Sequence, residues 1–159
     1  MIAINDSIRA TDLLPSLQRM WRLSATKLLS LQASWLPERG TPVFTVAGKY
    51  TSQGWTEWTQ GFQFGSAILQ FDATGDECFL EAGRTSTIAR MASHVTHVGV
   101  HDHGFNNVST YGNLRRLMLE GRFPHDTREL DFYELAIKAS GAVQAARCGS
   151  VISRILQPR

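Results

Sequence analysis

The sequence has few cysteines and no long apolar run. Cys78 and Cys148 are the two cysteines among 159 residues, and their separation fits neither a metal-binding nor a redox motif. We expect no disulfide framework. Both residues fall in helical patterns, where buried free thiols are the usual state. This cysteine usage favours a reducing compartment and hence the cytoplasm. No apolar run reaches the roughly 20 residues of a membrane-spanning helix, so we expect no membrane partner.

The chain also lacks a strong excess of charge of one sign. Its net charge is +2, and the 16 basic residues are scattered along the sequence, with Arg115 and Arg116 as their one adjacent pair. Binding to nucleic acid usually requires a basic stripe, so no nucleic-acid partner is expected. Hydrophobic residues make up 43% of the chain, which is enough for a core and excludes general disorder. The length predicts a single domain over residues 1–159.

The spacing of apolar residues predicts an all-α fold. They recur at three- and four-residue steps over residues 7–32, 59–73, 76–95, 108–119 and 127–148. Residues 43–50 are β-prone but contain Gly48, so they predict a short strand or an extended loop. Short connections between the helices favour antiparallel hairpins. Candidate core residues include Phe62, Ile68, Leu69, Phe71, Phe79, Leu80, Ile88, Met91, Leu114, Leu117, Met118, Phe132, Leu135 and Ala136.

Capping signals mark several helix boundaries. Pro15 suits a first helical turn, where a missing N–H is tolerated. Thr74-Gly75-Asp76 combines a glycine that ends one helix with an aspartate that begins the next. Asp126 or Thr127 is expected to cap the last helix, with Glu129 placed to complete a capping box.

The most unusual connection is His101-Asp102-His103-Gly104-Phe105. Imidazoles can donate hydrogen bonds to a carboxylate and tune its protonation, and loops on a rigid scaffold often carry chemistry. The alternative interpretation is a helix-capping aspartate flanked by two surface histidines. The residues alone do not separate these two interpretations.

Two further groups of residues admit a structural and a functional interpretation. His94, His97, His101 and His103 could ligate zinc or iron in a helical bundle, but their spacing matches no known metal motif, so we expect no metal. Trp55 and Trp58 are three residues apart and suit either core packing or a platform on which a sugar ring stacks.

Three motifs, in order, resemble the family 88 glycoside hydrolases, the unsaturated glucuronyl hydrolases. They are Trp58-Thr59-Gln60-Gly61-Phe62-Gln63-Phe64-Gly65, Thr74-Gly75-Asp76 and His101-Asp102-His103-Gly104-Phe105. The family pattern is W-T-x-G-F-x-x-G, T-G-D and H-D-x-G-F at similar separations. The resemblance covers about residues 15–147.

This resemblance implies a fold and a reaction. The family folds as an (α/α)6 barrel of twelve helices and hydrates the C4–C5 double bond of a 4,5-unsaturated uronic acid at the end of an oligosaccharide. By position, Asp102 corresponds to the first catalytic aspartate, while His101 and Trp58 correspond to substrate-binding residues. No metal or organic cofactor is implied.

Two departures from the family pattern modify this expectation. His103 stands where the family usually has an aliphatic residue, and we expect it to contact a different substrate group. The general acid/base has no counterpart, because Asp126, Glu129, Asp131 and Glu134 lie in no matching context. We therefore expect about five or six of the twelve helices, a chain truncated before the acid/base, and self-association through exposed apolar surface. The alternatives are a non-catalytic helical binding module and the histidine metal site.

Overall fold

The computed structural model describes residue 7, residues 9–53 and residues 58–155, with the side chains of residues 53 and 148–155 excepted. The chain divides into two compact units between Ser34 and Trp35. Trp55 and the Cys148 side chain lie outside the described part. The predicted all-α class is correct in that the described chain is mostly helical.

The first unit contains a 3₁₀ turn, Ala10–Leu13, and helix α1, Leu14–Ser34. Pro15 occupies the first turn of α1, as predicted, because its missing N–H has no intrahelical acceptor there. None of the residues of α1 is buried.

The second unit begins with a 3₁₀ turn and a β-hairpin and continues as helices. Its elements are the 3₁₀ turn Pro37–Arg39, β1 (Thr41–Val46), β2 (Lys49–Gln53), α2 (Thr59–Thr74), α3 (Glu77–Arg90), α4 (Ala92–Val95), a π-helix (Gly104–Gly112), α5 (Asn113–Leu119) and α6 (Thr127–Ile155).

Residues 43–50, predicted as a short strand or an extended loop, span the end of β1, the turn and the start of β2. β1 pairs antiparallel with β2, and Val46 faces Lys49 across the turn. Ala47 and Gly48 both have positive φ, 48° and 75°, as a two-residue type I′ turn requires. Gly48 interrupts the β-prone stretch because the chain reverses there.

The predicted junction between α2 and α3 is confirmed. Gly75 has φ 74° and donates its backbone N–H to the Phe71 carbonyl at 2.7 Å. Asp76 then caps α3, its Oδ1 accepting the Cys78 N–H at 3.1 Å. The two helices form an antiparallel hairpin whose buried residues include Ile68, Phe71, Phe79 and Leu80. Leu69 and Ile88, predicted in the core, are exposed.

The single helix predicted over residues 76–95 is interrupted at Met91. Met91 has φ −88° and ψ −5°, values that lie outside regular α geometry. A new short helix, α4, starts after it, and the chain leaves helical geometry again at Thr96. This break directs His94 into the core, where it is 1% exposed.

The helix predicted from residue 108 begins earlier, as a π-helix. π-Helices are rare and often occur at functional sites. Their i→i+5 hydrogen bonds bring pairs of residues four and five apart to one face. Here that face is buried and consists of Asn106, Asn107, Thr110 and Tyr111. The segment continues into α5, whose predicted core residues Leu114, Leu117 and Met118 are buried.

Helix α6 begins as predicted but uses its capping residues differently. Asp126 caps it, accepting the Glu129 N–H at 3.0 Å. The expected capping box does not form, because the Glu129 carboxylate instead accepts hydrogen bonds from Arg84 and Tyr133. Tyr133, Ala136 and Ser140 are buried, whereas Phe132 and Leu135, predicted in the core, are exposed.

The prediction that Cys78 is a buried thiol is wrong. Cys78 is exposed in the first turn of α3, where the side chains of a capped helix start point into solvent. Its hydrogen bond with the Asp76 carboxylate raises the pKa of the thiol.

Among the described residues, no helix combines the length and apolar character needed to cross a bilayer.

Candidate functional site

Two of the three sequence motifs meet where α2 crosses the π-helix. A Cβ at Gly61 would overlap the Phe105 carbonyl, and one at Gly65 would lie 2.7 Å from the Ser109 carbonyl oxygen. The two backbones approach this closely because both positions are glycine. The Gly61 N–H, in the first turn of α2, donates to Asn106 Oδ1 at 2.9 Å. The contact therefore holds the start of α2 against the loop that carries His101 and Asp102.

Three aromatic rings form an exposed surface at this crossing. The ring centroids of Trp58 and Phe62 lie 5.4 Å apart, those of Phe62 and Phe105 5.4 Å, and those of Trp58 and Phe105 5.9 Å. Each of these side chains is between 39% and 50% exposed. We call them the aromatic surface. Contacting aromatic rings that remain open to solvent are suited to hold an apolar ring face of a ligand.

Asp102 lies three residues before Phe105, in the turn that precedes the π-helix. The Asn106 N–H donates to the Asp102 carbonyl at 3.1 Å, so the turn is joined directly to the start of the helix that carries Phe105. His101 Nε2 is 3.6 Å from Asp102 Oδ1, so the two side chains are neighbours, but the distance exceeds that of a normal hydrogen bond. The His101 side chain is 84% exposed and that of Asp102 17%. Both can be reached from solvent.

His103 points away from this surface into the core. It is 3% exposed, its Nδ1 lies 2.8 Å from Ser140 Oγ, and its Nε2 lies 2.6 Å from the His97 carbonyl oxygen. The expected contact between His103 and substrate does not match this burial. The side chain instead links the turn to α6.

His94 lies beside His103 in the same buried polar region. Its Nε2 is 2.5 Å from Gln60 Oε1, so it joins α4 to the first turn of α2. Burial, and after it the nearby imidazoles of His97 and His103, lowers the pKa of His94 to about 4. His94 is therefore neutral at physiological pH.

The four histidines do not converge on a metal site. Within the part of the chain that the structure describes, no three His, Cys, Asp or Glu side chains are placed to share an ion. The break at residues 96–102 sends His103 into the core and leaves His101 at the surface. The geometry therefore gives no support to the metal-binding bundle.

Three of the four carboxylates considered for a second catalytic role have structural partners. Asp126 caps α6, Glu129 is bound by Arg84 and Tyr133, and Glu134 is paired with Arg115 and Lys138. Their hydrogen-bond partners stabilise the ionised form of each carboxylate, so the pKa of all three is lowered. This is the opposite of what a general acid requires.

Sequence reasoning missed the buried polar residues that support this site. Asn107 Nδ2 donates to the His94 carbonyl at 3.2 Å and to Ser140 Oγ at 3.0 Å. Ser140, on the apolar stripe of α6, was a usable signal, since a polar residue on a core-facing helix face requires a partner. Asn106 and Asn107 directly follow the motif that ends at Phe105, but no sequence pattern indicated what either side chain would contact.

Comparison of the chain with known protein families, with characterised proteins and with solved structures finds no match.

Proposed function

We propose that this chain is a glycoside hydrolase-like protein that binds a 4,5-unsaturated uronic acid at the end of an oligosaccharide. The observation that carries the proposal is the aromatic surface next to the His101–Asp102 turn. It combines an apolar platform for a sugar ring with a partly exposed carboxylate three residues before Phe105 in the chain. The close packing of two motifs more than 40 residues apart, through Gly61 and Asn106, supports their use as a unit.

Each residue has a chemical role in this proposal. Trp58 stacks on the sugar ring, His101 contacts the substrate and Asp102, and the Asp102 carboxylate accepts a proton from the attacking water. In the reaction, the elements of one water molecule add across the double bond, H at C4 and OH at C5, which gives a hemiketal. The hemiketal opens and releases the neighbouring sugar. No metal or organic cofactor takes part, since the double bond is activated by proton transfer alone.

The proposal includes an (α/α)6 barrel as the parent fold. The antiparallel pair α2–α3, and the further pair of the π-helix and α5 with α6, have the helical-hairpin organisation that such a barrel repeats. The aromatic surface and Asp102 lie near the start of α2 and of the π-helix, at one end of these hairpins.

The test follows the ultraviolet absorbance of an unsaturated glucuronyl disaccharide, which falls when the conjugated double bond is hydrated. We expect Asp102→Asn to abolish turnover and Trp58→Ala to weaken binding. Glu77→Gln, an exposed carboxylate in the first turn of α3, is the matched control and should have no effect. Turnover that survives in Asp102→Asn would remove Asp102 from the mechanism.

A second candidate is a carbohydrate-binding module without turnover. The structural engagement of Asp126, Glu129 and Glu134 favours it, because none of them is poised as an acid/base. In this case the disaccharide binds, Trp58→Ala weakens binding, and the absorbance does not change. Absence of both binding and turnover would contradict both candidates.

A further inference from the structure

The buried polar residues beneath the His101–Asp102 turn form one directed chain of hydrogen bonds. A carbonyl oxygen can only accept, so the His97 carbonyl requires a proton on His103 Nε2, 2.6 Å away. In the neutral imidazole, Nδ1 then has a lone pair and accepts from Ser140 Oγ–H at 2.8 Å. The tautomer of His103 is thus fixed by its two partners.

The next link in this chain is also fixed in direction. Asn107 Nδ2 donates to the His94 carbonyl and to Ser140 Oγ, which leaves the Ser140 hydroxyl proton for His103. Asn107, Ser140 and His103 are all at least 95% buried. Loss of any member would leave a buried polar atom without its partner, which is costly in an apolar interior.

The chain of bonds ends at the turn that carries Asp102. The hydrogen bond between the His103 ring and the His97 carbonyl joins the two ends of the segment 97–103. His103 directly follows Asp102 in this segment. Helix α6 holds the same segment at a second point, where Gln144 Nε2 and Arg147 Nη1 both donate to the Val100 carbonyl. Residues 140, 144 and 147 lie on one face of α6. One helix face therefore anchors both sides of the His101–Asp102 pair.

We propose that Ser140 is a positioning residue that acts through His103 to fix the orientation of the Asp102 carboxylate beside the aromatic surface. The significance of this role for the sugar substrate rests on the proposed function. Ser140 does not touch the substrate. Its hydroxyl holds the His103 ring, and the ring holds the turn.

The first measurement is a long-range ¹H–¹⁵N correlation spectrum of the histidine rings in the wild-type chain. We expect the His103 ring to carry a proton on Nε2, which faces the His97 carbonyl, and to show Nδ1 shifted by a hydrogen bond accepted from Ser140. A His103 that is protonated on Nδ1 at neutral pH would overturn the proposal, whatever the substrate.

The second measurement compares Ser140→Ala, Ser140→Thr and the control Ser30→Ala, which alters an exposed serine of α1. In Ser140→Ala we expect the His101 ring and Asp102 carboxyl resonances to move, and the affinity for an unsaturated glucuronyl disaccharide to fall about tenfold. Ser140→Thr should restore both, because it keeps the hydroxyl. Ser30→Ala should leave both unchanged.

The outcomes separate the two proposals. Resonances of His101 and Asp102 that stay in place in a folded Ser140→Ala would overturn the positioning role, even if the disaccharide binds. Wild-type protein that does not bind the disaccharide, but whose His101 and Asp102 resonances still depend on Ser140, would contradict the proposed function and support the positioning role.

Discussion

The buried position of His94 favours the neutral form of its imidazole. It is almost fully buried and donates from Nε2 to Gln60, and burial lowers its pKa from 6.5 to about 4. An imidazolium at this position would place a charge in a buried region, away from water and close to the imidazoles of His97 and His103. The protonation of this one residue therefore couples the stability of the fold to pH.

We expect the free energy of unfolding to decrease as pH falls from 6.5 to about 4. In this window the unfolded chain binds a proton at His94 and the folded chain does not, so acid favours unfolding. Above pH 6.5 the contribution is constant. The full loss is about 3 kcal/mol, measurable by urea unfolding at several pH values. His94→Gln, which keeps a donor toward Gln60, should flatten this dependence, whereas His125→Gln, at an exposed turn, should not. An unchanged slope in His94→Gln would contradict this account.

At the scale of residues, the sequence singled out the solvent-accessible residues of the candidate site but not the buried polar residues that support them. Asp102 and His101 stand out because charged and titratable residues are uncommon together in a short turn. The helix end predicted at residue 95 is correct, but the direction of His103 depends on the backbone path of residues 96–102, which no local pattern specifies. Ser140 and Asn107 acquire their roles from partners more than 30 residues away, and such contacts leave no local pattern.

At the scale of elements, the contact between α2 and the π-helix depends on glycine. We expect Gly61→Ala to destabilise the protein by about 2–3 kcal/mol, since its Cβ would meet backbone atoms of Phe105 and Asn106 that can move only if the helices separate. Gly141→Ala, on α6, is the matched control. Nothing lies within 4 Å of a Cβ at that position, so the better helix propensity of alanine should stabilise by about 0.5–1 kcal/mol. Thermal unfolding of both variants measures this. Equal effects would show that the crossing is not tightly packed.

Helix α3 is joined to α6 by an ion pair that has a third member. Arg84 makes two hydrogen bonds to the Glu129 carboxylate, which also accepts from the buried Tyr133 hydroxyl. Burial raises the pKa of Glu129, but the hydrogen bonds from Arg84 and Tyr133 outweigh it and the net shift is downward. The pair is therefore formed at neutral pH, and its contribution to stability declines as pH falls from the ordinary glutamate value of 4.5 through the lowered pKa of Glu129.

We expect Glu129→Gln to lower the free energy of unfolding at pH 7 by about 1–3 kcal/mol, because the amide cannot satisfy the guanidinium and the phenol as the carboxylate does. Glu134→Gln, on the same helix, removes a more exposed pair with Arg115 and Lys138 and should cost less than Glu129→Gln, because water screens an exposed pair. Chemical denaturation at pH 7 compares them. If Glu134→Gln lowered the free energy of unfolding more than Glu129→Gln does, the more exposed pair would be the more important one for stability.

The helical elements themselves were largely predictable. Apolar spacing identified α2, α5 and the start of α6, and the Gly75–Asp76 junction was read from its capping residues. The interruption at Met91 and the π-helix were not predictable, because both arise from tertiary packing around His94 and Asn106 and not from local propensity. Phe62, Leu69, Phe132 and Leu135 satisfy helical periodicity yet remain exposed, since periodicity indicates an apolar face without indicating what covers it.

At the scale of the whole molecule, the described residues expose many large apolar side chains. On α1 these include Leu17, Met20 and Leu23, and no residue of that helix is buried. Apolar surface of this extent is unusual for a monomer and generally marks an interaction surface. The self-association predicted from the sequence stays a prediction, and the exposed apolar residues of α1 are the described residues on which it can be tested.

We expect the chain to self-associate as its concentration rises, with a contribution from the apolar residues of α1. The double substitution Leu17→Lys and Met20→Lys should reduce the weight-average mass in sedimentation velocity, because burial of each large apolar side chain contributes about 1.5–3 kcal/mol that a lysine forfeits. The control Gln18→Lys with Ser30→Lys adds the same charge to exposed polar positions of the same helix, so general charge repulsion is held constant. If both double variants reduce the mass equally, charge and not apolar contact governs association. If the wild type remains a monomer at every concentration, the exposed face of α1 does not drive contact between copies of this chain.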